Sequence, residues 1–240
     1  MSVALRLEDL LARLPGTVRR GHVPPVRAGR DECLSTGTVA LDEALDGGLP
    51  RGRLSELCGA GSAGITSLAL RVAAGAIARG EWAAWVDGAD AFDPAGAHAS
   101  GLDAESLLWV RPPDLRTALA AAEQLLALGG FALVVLDVSP STATGRAERR
   151  GAAAARLPAT AHPWLRLARA AERSRSALVA LRRDGGAAPS AALRLELQPA
   201  EVLWDRRGGA PALFEGLRVR VTIRRRRGAA LTGREITFRL

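Results

Sequence analysis

The sequence predicts an α/β protein with a mainly parallel sheet flanked by helices, and three observations carry that expectation. From residue 53 to residue 137 short apolar runs alternate with segments of helical period, the order that builds a parallel sheet. Phe131 to Leu136 is almost wholly apolar and ends on Asp137, the form of a strand buried on both faces with an acid at its carboxyl end. Leu54 to Cys58 is an apolar run that enters a glycine-rich turn, and a helical pattern follows it.

Taken in order, Val3 to Leu14 reads as an amphipathic helix with Leu7, Leu10, Leu11 and Leu14 on its apolar stripe. Pro15-Gly16 stops it, and Thr17 to Arg30, with Pro24-Pro25 and several arginines, reads as an extended linker. The division expected is therefore residues 1–30 as helix and linker and residues 31–240 as the core. Such a helix either packs back on its own domain or docks on a neighbouring subunit or partner.

Ser35-Thr36-Gly37 opens a helix over Thr38–Leu45, closed by Gly47-Gly48, and Leu49 to Gly52 turns into a strand at Arg53–Cys58. Helices are expected over Thr66–Arg79, after Asp93-Pro94, over Leu115–Leu128 and over Pro163–Arg175. Strands are expected at Trp82–Val86, Leu107–Val110, Phe131–Leu136 and Ala177–Leu181. Ser139 to His162, rich in small residues, reads as a loop, and Asp184 to Ser190 as a shorter one. The remainder reads as strands at Ala192–Leu197, Ala200–Trp204, Leu217–Ile223 and Glu235–Leu240. In Leu217–Ile223 apolar residues alternate with Arg218, Arg220 and Thr222, so one face is buried and one wet.

Composition bounds the function. The chain has 240 residues, enough for one sizeable α/β domain, and 48% of them are hydrophobic. The net charge of +8 comes entirely from arginine, since no lysine occurs, which suits association with nucleic acid or an acidic partner. Cys33 and Cys58 form no disulfide or metal pattern and read as buried reduced thiols. His22, His98 and His162 match no metal spacing. No signal peptide and no apolar run of spanning length occurs, so a cytoplasmic protein without membrane contact is expected.

The chemistry centres on Gly59 to Ser67. The pattern is that of a phosphate-binding loop, G-x-x-x-x-G-K-T/S, in which backbone N–H groups cradle phosphates at a helix N-terminus. Gly59 and Gly64 keep the spacing, Thr66 stands where the magnesium-binding hydroxyl belongs, Ser67 adds a backbone N–H after it, and Asp137 either holds magnesium or caps neighbouring backbone. Ile65 occupies the lysine position and offers a phosphate neither a donor nor a charge. These residues either receive a phosphate weakly or persist as a tight turn and helix cap. The run Arg224, Arg225, Arg226 and Arg227 lies between the last two strands and reads either as a solvated turn or as a contact for DNA phosphates or an acidic partner; mutual repulsion favours a partner.

The order of these pieces resembles the RecA-like ATPase core over roughly residues 31 to 240. Leu34 to Gly37 with Leu41 to Arg53 resembles the approach to its phosphate loop. Val86 to Pro94 resembles the strand and loop that carry its catalytic glutamate, and Leu133 to Asp137 resembles its Walker B strand. On that resemblance the glutamate position falls at Gly88, so both the phosphate-loop cation and the water-activating base are missing. The resemblance thus implies a RecA-like core, with an added N-terminal helix and C-terminal antiparallel strands, that does not hydrolyse ATP and needs no cofactor.

Within that group the chain resembles the ImuA family, accessory proteins of bacterial mutagenesis cassettes. That likeness implies work in DNA-damage-induced translesion synthesis with an ImuB-like inactive Y-family polymerase relative, an error-prone C-family replicative polymerase and RecA, with non-specific DNA as a further ligand. Two alternatives stay open: a RecA paralogue that coats DNA during recombination, and a nucleotide-binding ATPase with an altered loop.

Overall fold

The computed structural model describes residues 32–139, 161–183, 188, 190–205, 213–226 and 233–240. The helix expected at Val3–Leu14, with Leu7, Leu10, Leu11 and Leu14, lies outside the described residues, as do Arg227 and most of the two loops expected after residues 139 and 184.

The strands are β1 (Cys33–Leu34), β2 (Leu49–Pro50), β3 (Leu54–Gly59), β4 (Trp82–Asp87), β5 (Leu107–Val110), β6 (Phe131–Asp137), β7 (Ala177–Arg182), β8 (Leu193–Asp205), β9 (Leu213–Arg226) and β10 (Glu235–Arg239). The α-helices are α1 (Val39–Ala44), α2 (Ile65–Ala78), α3 (Pro94–Ala99), α4 (Leu115–Leu128) and α5 (Ala161–Ser174). Eight strands form one sheet in the order β10-β9-β8-β3-β7-β6-β4-β5, parallel from β8 to β5 and antiparallel where β9 and β10 are added.

The sheet takes this form because its central strands are apolar on both sides. In β6, Leu133 and Val135 face one apolar cluster, while Val134 and Leu136 face the other. The first cluster is closed by α1 and α2, and the second by α4 and α5. Removing so much alanine, leucine and valine surface from water supplies the main drive for folding. The outer strands are covered on one side only: Val219, Val221, Ile223 and Phe238 join the first cluster, while Arg218, Arg220 and Arg224 face water.

Side-chain caps set several helix starts. Asp114 accepts from Thr117 N at 2.7 Å at the head of α4, and Asp93 accepts from Ala95 N at the head of α3. Before α1, the Asp42 carboxylate gathers Ser35 Oγ, Thr36 N and Thr36 Oγ1 within 2.7 Å, which folds the Leu34–Gly37 approach back on the helix.

Three expectations are corrected. The paired two-residue strands β1 and β2 replace what reads as plain turn, because Arg51 N also bonds Glu32 O and extends the ladder. Ala192–Leu197 and Ala200–Trp204 are one strand, β8; Pro199 is tolerated where the ladder with β9 shifts register and β3 no longer runs alongside. Arg224, Arg225 and Arg226 belong to β9 and not to a turn. Neighbours in a strand point to opposite faces, so the pleat separates Arg225 from Arg224 and Arg226.

Candidate nucleotide site and its replacement charges

Parallel register brings the carboxyl ends of the central strands to one edge. Asp87 on β4 is opposite Asp137 on β6, Asp137 is opposite Leu181 on β7, and Arg182 is opposite Cys58 on β3. The sequence-predicted residues Gly59, Gly64, Thr66, Ser67 and Asp137 therefore meet at the end of the sheet where α/β proteins place their ligands.

The loop keeps its backbone form. Gly64 stands at the N-cap of α2 with φ 85°, a left-handed conformation that glycine adopts without strain. A β-carbon on Gly64 would lie 2.5 Å from Leu240 Cδ1 and 3.1 Å from Val219 Cγ1, so the end of the sheet is packed against the loop. Arg71 on α2 holds that strand in place by donating to Arg239 O at 3.1 Å. Ile65 is 2% exposed and belongs to the same apolar cluster as Val219 and Ile223, with Leu217 and Leu240 packed against that cluster. The position that would carry a phosphate-binding ammonium is a core position here.

The cation at this edge comes from elsewhere. Arg183, just past β7, donates from Nη2 to Thr66 Oγ1 at 3.2 Å. Its positive charge also acts on Asp137, favouring the carboxylate. A guanidinium thus bonds the hydroxyl that would otherwise face a magnesium ion, and its charge is felt at Asp137. Such a group cannot copy the metal: it carries one charge, donates hydrogen bonds, and coordinates no oxygen octahedrally. With Ile65 in the core and Arg183 on Thr66, the residues present do not fit a magnesium–triphosphate pair.

The two acids are engaged by backbone. Asp137 is 1% exposed and accepts from Ser139 N at 2.9 Å. Burial raises its pKa above the ordinary carboxylate range, against the pull of the Ser139 hydrogen bonds and of Arg183. Asp87 accepts from Ala91 N, Phe92 N and Trp109 Nε1 at 2.9, 3.1 and 3.3 Å, which folds the chain sharply after β4. Neither Gly88 nor Ala89, the residues that follow, carries a base. A β-carbon on Gly88 would meet Asp137 O at 2.7 Å and Ala118 Cβ at 3.3 Å, so that backbone passes too close to β6 for a side chain.

Sequence reasoning missed a buried charge cluster directly beneath the loop. Glu56 on β3 is 0% exposed; its Oε1 accepts from Arg182 Nη1 at 3.2 Å and from Ala188 N at 3.1 Å, while Arg194 Nη1 lies 3.6 Å from Oε2. Arg182 also lies over the Trp164 ring, 5.6 Å from its centre. Burial raises the Glu56 pKa, opposed by Arg194, the Ala188 N–H and Arg182. The signal was present: a glutamate inside the apolar run Leu54–Cys58, and an arginine closing Ala177–Leu181. The cluster ties the phosphate-loop strand to the segment that follows β7.

The arginines of β9 are drawn into ion pairs. Arg224 Nε lies 2.5 Å from Glu196 Oε2, Arg226 Nη1 lies 2.8 Å from Asp46 Oδ2, and Arg218 Nη1 lies 2.5 Å from Glu201 Oε2. Both cysteines are free; Cys58 is buried, Cys33 is half-buried, and burial pushes both thiols up. No helix among the described residues is long and apolar enough to cross a membrane.

Comparison with known proteins agrees with this architecture. The crystal structure of the RadB recombinase superposes with a TM-score of 0.62 over 86% of this chain and 95% of its own, at 22% identity, which shows a shared fold. The RecA protein of Clavibacter michiganensis is 40% identical over 151 residues, covering 60% of this chain and 41% of that protein. The RecA protein of Bifidobacterium breve is 43% identical over 107 residues, covering 44% of this chain and 27% of that protein. The chain therefore spans less than half the length of these curated relatives. The model of the RecA N-terminal domain matches residues 26–173, more than half of the sequence, and the chain belongs to the RecA N-terminal domain family.

Proposed function

We propose that this protein is a non-hydrolysing RecA-type accessory factor of DNA-damage-induced translesion synthesis, acting by binding polymerase-complex partners. The observation that carries the reading is the exchange of charges at the phosphate loop: Ile65 in the core, and Arg183 bonded to Thr66 with its charge felt at Asp137. Phosphoryl transfer in this fold needs a cation on the transferred group and a base or water-positioning residue. Position 65 supplies no cation, and Gly88 and Ala89 supply no base. The retained work is then recognition. The likeness to the ImuA family supplies the partners of the reading: an ImuB-like inactive Y-family polymerase relative, an error-prone C-family replicative polymerase, and RecA.

The test has a chemical and a cellular arm. Purified protein with magnesium and ATP is expected to release no phosphate above a blank, with or without single-stranded DNA. Turnover that falls on Thr66→Ala would overturn the reading and favour an ATPase with an altered loop. Deletion of the gene is expected to abolish damage-induced mutagenesis, and the tagged protein should co-purify with the inactive polymerase relative.

A second reading rests on the RecA identities of 38–43% and makes the protein a recombination mediator that coats DNA. Tight single-strand binding by the isolated protein, with a recombination defect and normal mutagenesis after gene deletion, would select it.

A further inference from the structure

At the opposite end of the sheet from the phosphate loop, where β3 and β8 begin, a cleft of about 600 Å³ opens between α5 and the β1–β2 ladder. That volume suits a small ligand or a few residues of peptide. Its apolar wall contains Leu54, Leu193 and Leu165, and Leu165 is 39% exposed on α5 although it is a large aliphatic side chain. Its polar lining holds three arginines, Arg53, Arg169 and Arg226, against one carboxylate, Glu172.

These arginines are unequally satisfied. Arg53 Nη1 pairs with Glu172 Oε1 at 2.8 Å. Arg226 Nη1 stands 2.8 Å from Asp46 Oδ2, but that nitrogen is buried and makes no well-directed hydrogen bond. Arg169 is exposed, and no carboxylate lies within ion-pair distance of it among the described residues. Arg226 is thus neutralised by Asp46 and Arg53 by Glu172, and the uncompensated positive charge of the cleft is Arg169, beside the exposed Leu165.

Charge and composition decide among occupants. No aromatic side chain lines the cleft among the described residues, so it offers no stacking platform for the bases of single-stranded nucleic acid. Residues 1–31 carry six arginines against three carboxylates, a balance that does not complement a basic cleft. We propose that the cleft docks a short acidic segment of a partner protein, one aliphatic side chain lying against Leu165 while a flanking carboxylate meets Arg169. The site is separate from the phosphate loop and does not depend on whether that loop binds nucleotide.

The probe is a short dye-labelled peptide that alternates leucine and aspartate, read by fluorescence anisotropy with the full chain. Saturable binding is expected, weakening as salt rises from about 50 to about 300 mM. Leu165→Asp and Arg169→Glu each alter an exposed side chain, and each should weaken binding by roughly tenfold or more without changing the melting temperature. No binding, or binding unchanged in both variants, overturns the proposal. Equal binding of a peptide that alternates serine and aspartate overturns it too, since charge alone would then suffice. Displacement by oligothymidine at equal charge concentration would reassign the surface to nucleic acid.

Discussion

Replacing Ile65 by lysine restores the phosphate-loop consensus and should nevertheless damage the protein. Ile65 is 2% exposed and part of the cluster that joins α2 to the inner faces of β8 and β9. Withdrawing an isoleucine side chain from such a setting costs about 1.5–3 kcal/mol. An ammonium left there without a counter-ion adds a penalty of several kcal/mol. The loss expected for Ile65→Lys is thus at least about 4 kcal/mol, which in a domain of this size lowers the melting temperature by about 8–16 °C. Thermal denaturation with and without magnesium–ATP measures it, and saturating nucleotide should leave most of the deficit in place. A variant as stable as the parent that gains strong stabilisation from ATP would refute the reasoning. The lysine would then have a route to a phosphate, and the isoleucine would be an accident of sequence and not a core residue.

Further outcomes follow from the same edge of the sheet. Gly88→Ala places a β-carbon 2.7 Å from Asp137 O, a backbone atom that yields only if β6 moves, so a loss of about 1–3 kcal/mol in urea denaturation is expected. No loss would mean that the turn after β4 relaxes freely. Glu56→Gln keeps an acceptor for Ala188 N but strips Arg182 of its buried counter-charge; a cost of about 3 kcal/mol is expected, and a neutral result would show that Trp164 and the remaining contacts suffice. For Asp137, burial raises the folded-state pKa, so its contribution to stability is greatest below the ordinary carboxylate value and declines as pH rises through the raised one. Asp137→Asn, melted beside the parent from about pH 4 to about pH 8, should gain relative to the parent as pH rises. The opposite trend would mean that Arg183 and the Ser139 N–H outweigh burial.

How much was legible beforehand depends on how local each cause is. Phe131–Asp137 and Leu115–Leu128 were readable almost to the residue, since an unbroken apolar run and an Asp-to-Gly bracket each carry their own boundaries. The phosphate-loop frame was readable because glycine spacing is a local demand. Pairing across the sheet was not. Nothing near Arg224 announces Glu196, and nothing near Arg226 announces Asp46, so from the sequence the basic run reads as a solvated turn or an outside contact and not as a strand paired within the fold. The same blindness hid the role of Arg183: two arginines after a strand look like a solvated end until β7 is placed beside β3 and Thr66 comes within reach. Likewise Glu56 looks out of place in its run until Arg182 and Arg194 arrive from strands on either side.

The contact between Arg183 and Thr66 has a consequence for timing. A loop that draws magnesium and a triphosphate from solution reports on the cell: it fills, empties, and lets its surroundings change with each exchange. A guanidinium tethered to the neighbouring strand has no such history, for it cannot be chelated, diluted or spent. On the non-hydrolysing reading the protein has no internal clock. Its engagement with partners would follow how much of it the cell makes and how much partner is present, and would be indifferent to the energy charge that paces its ATP-driven relatives.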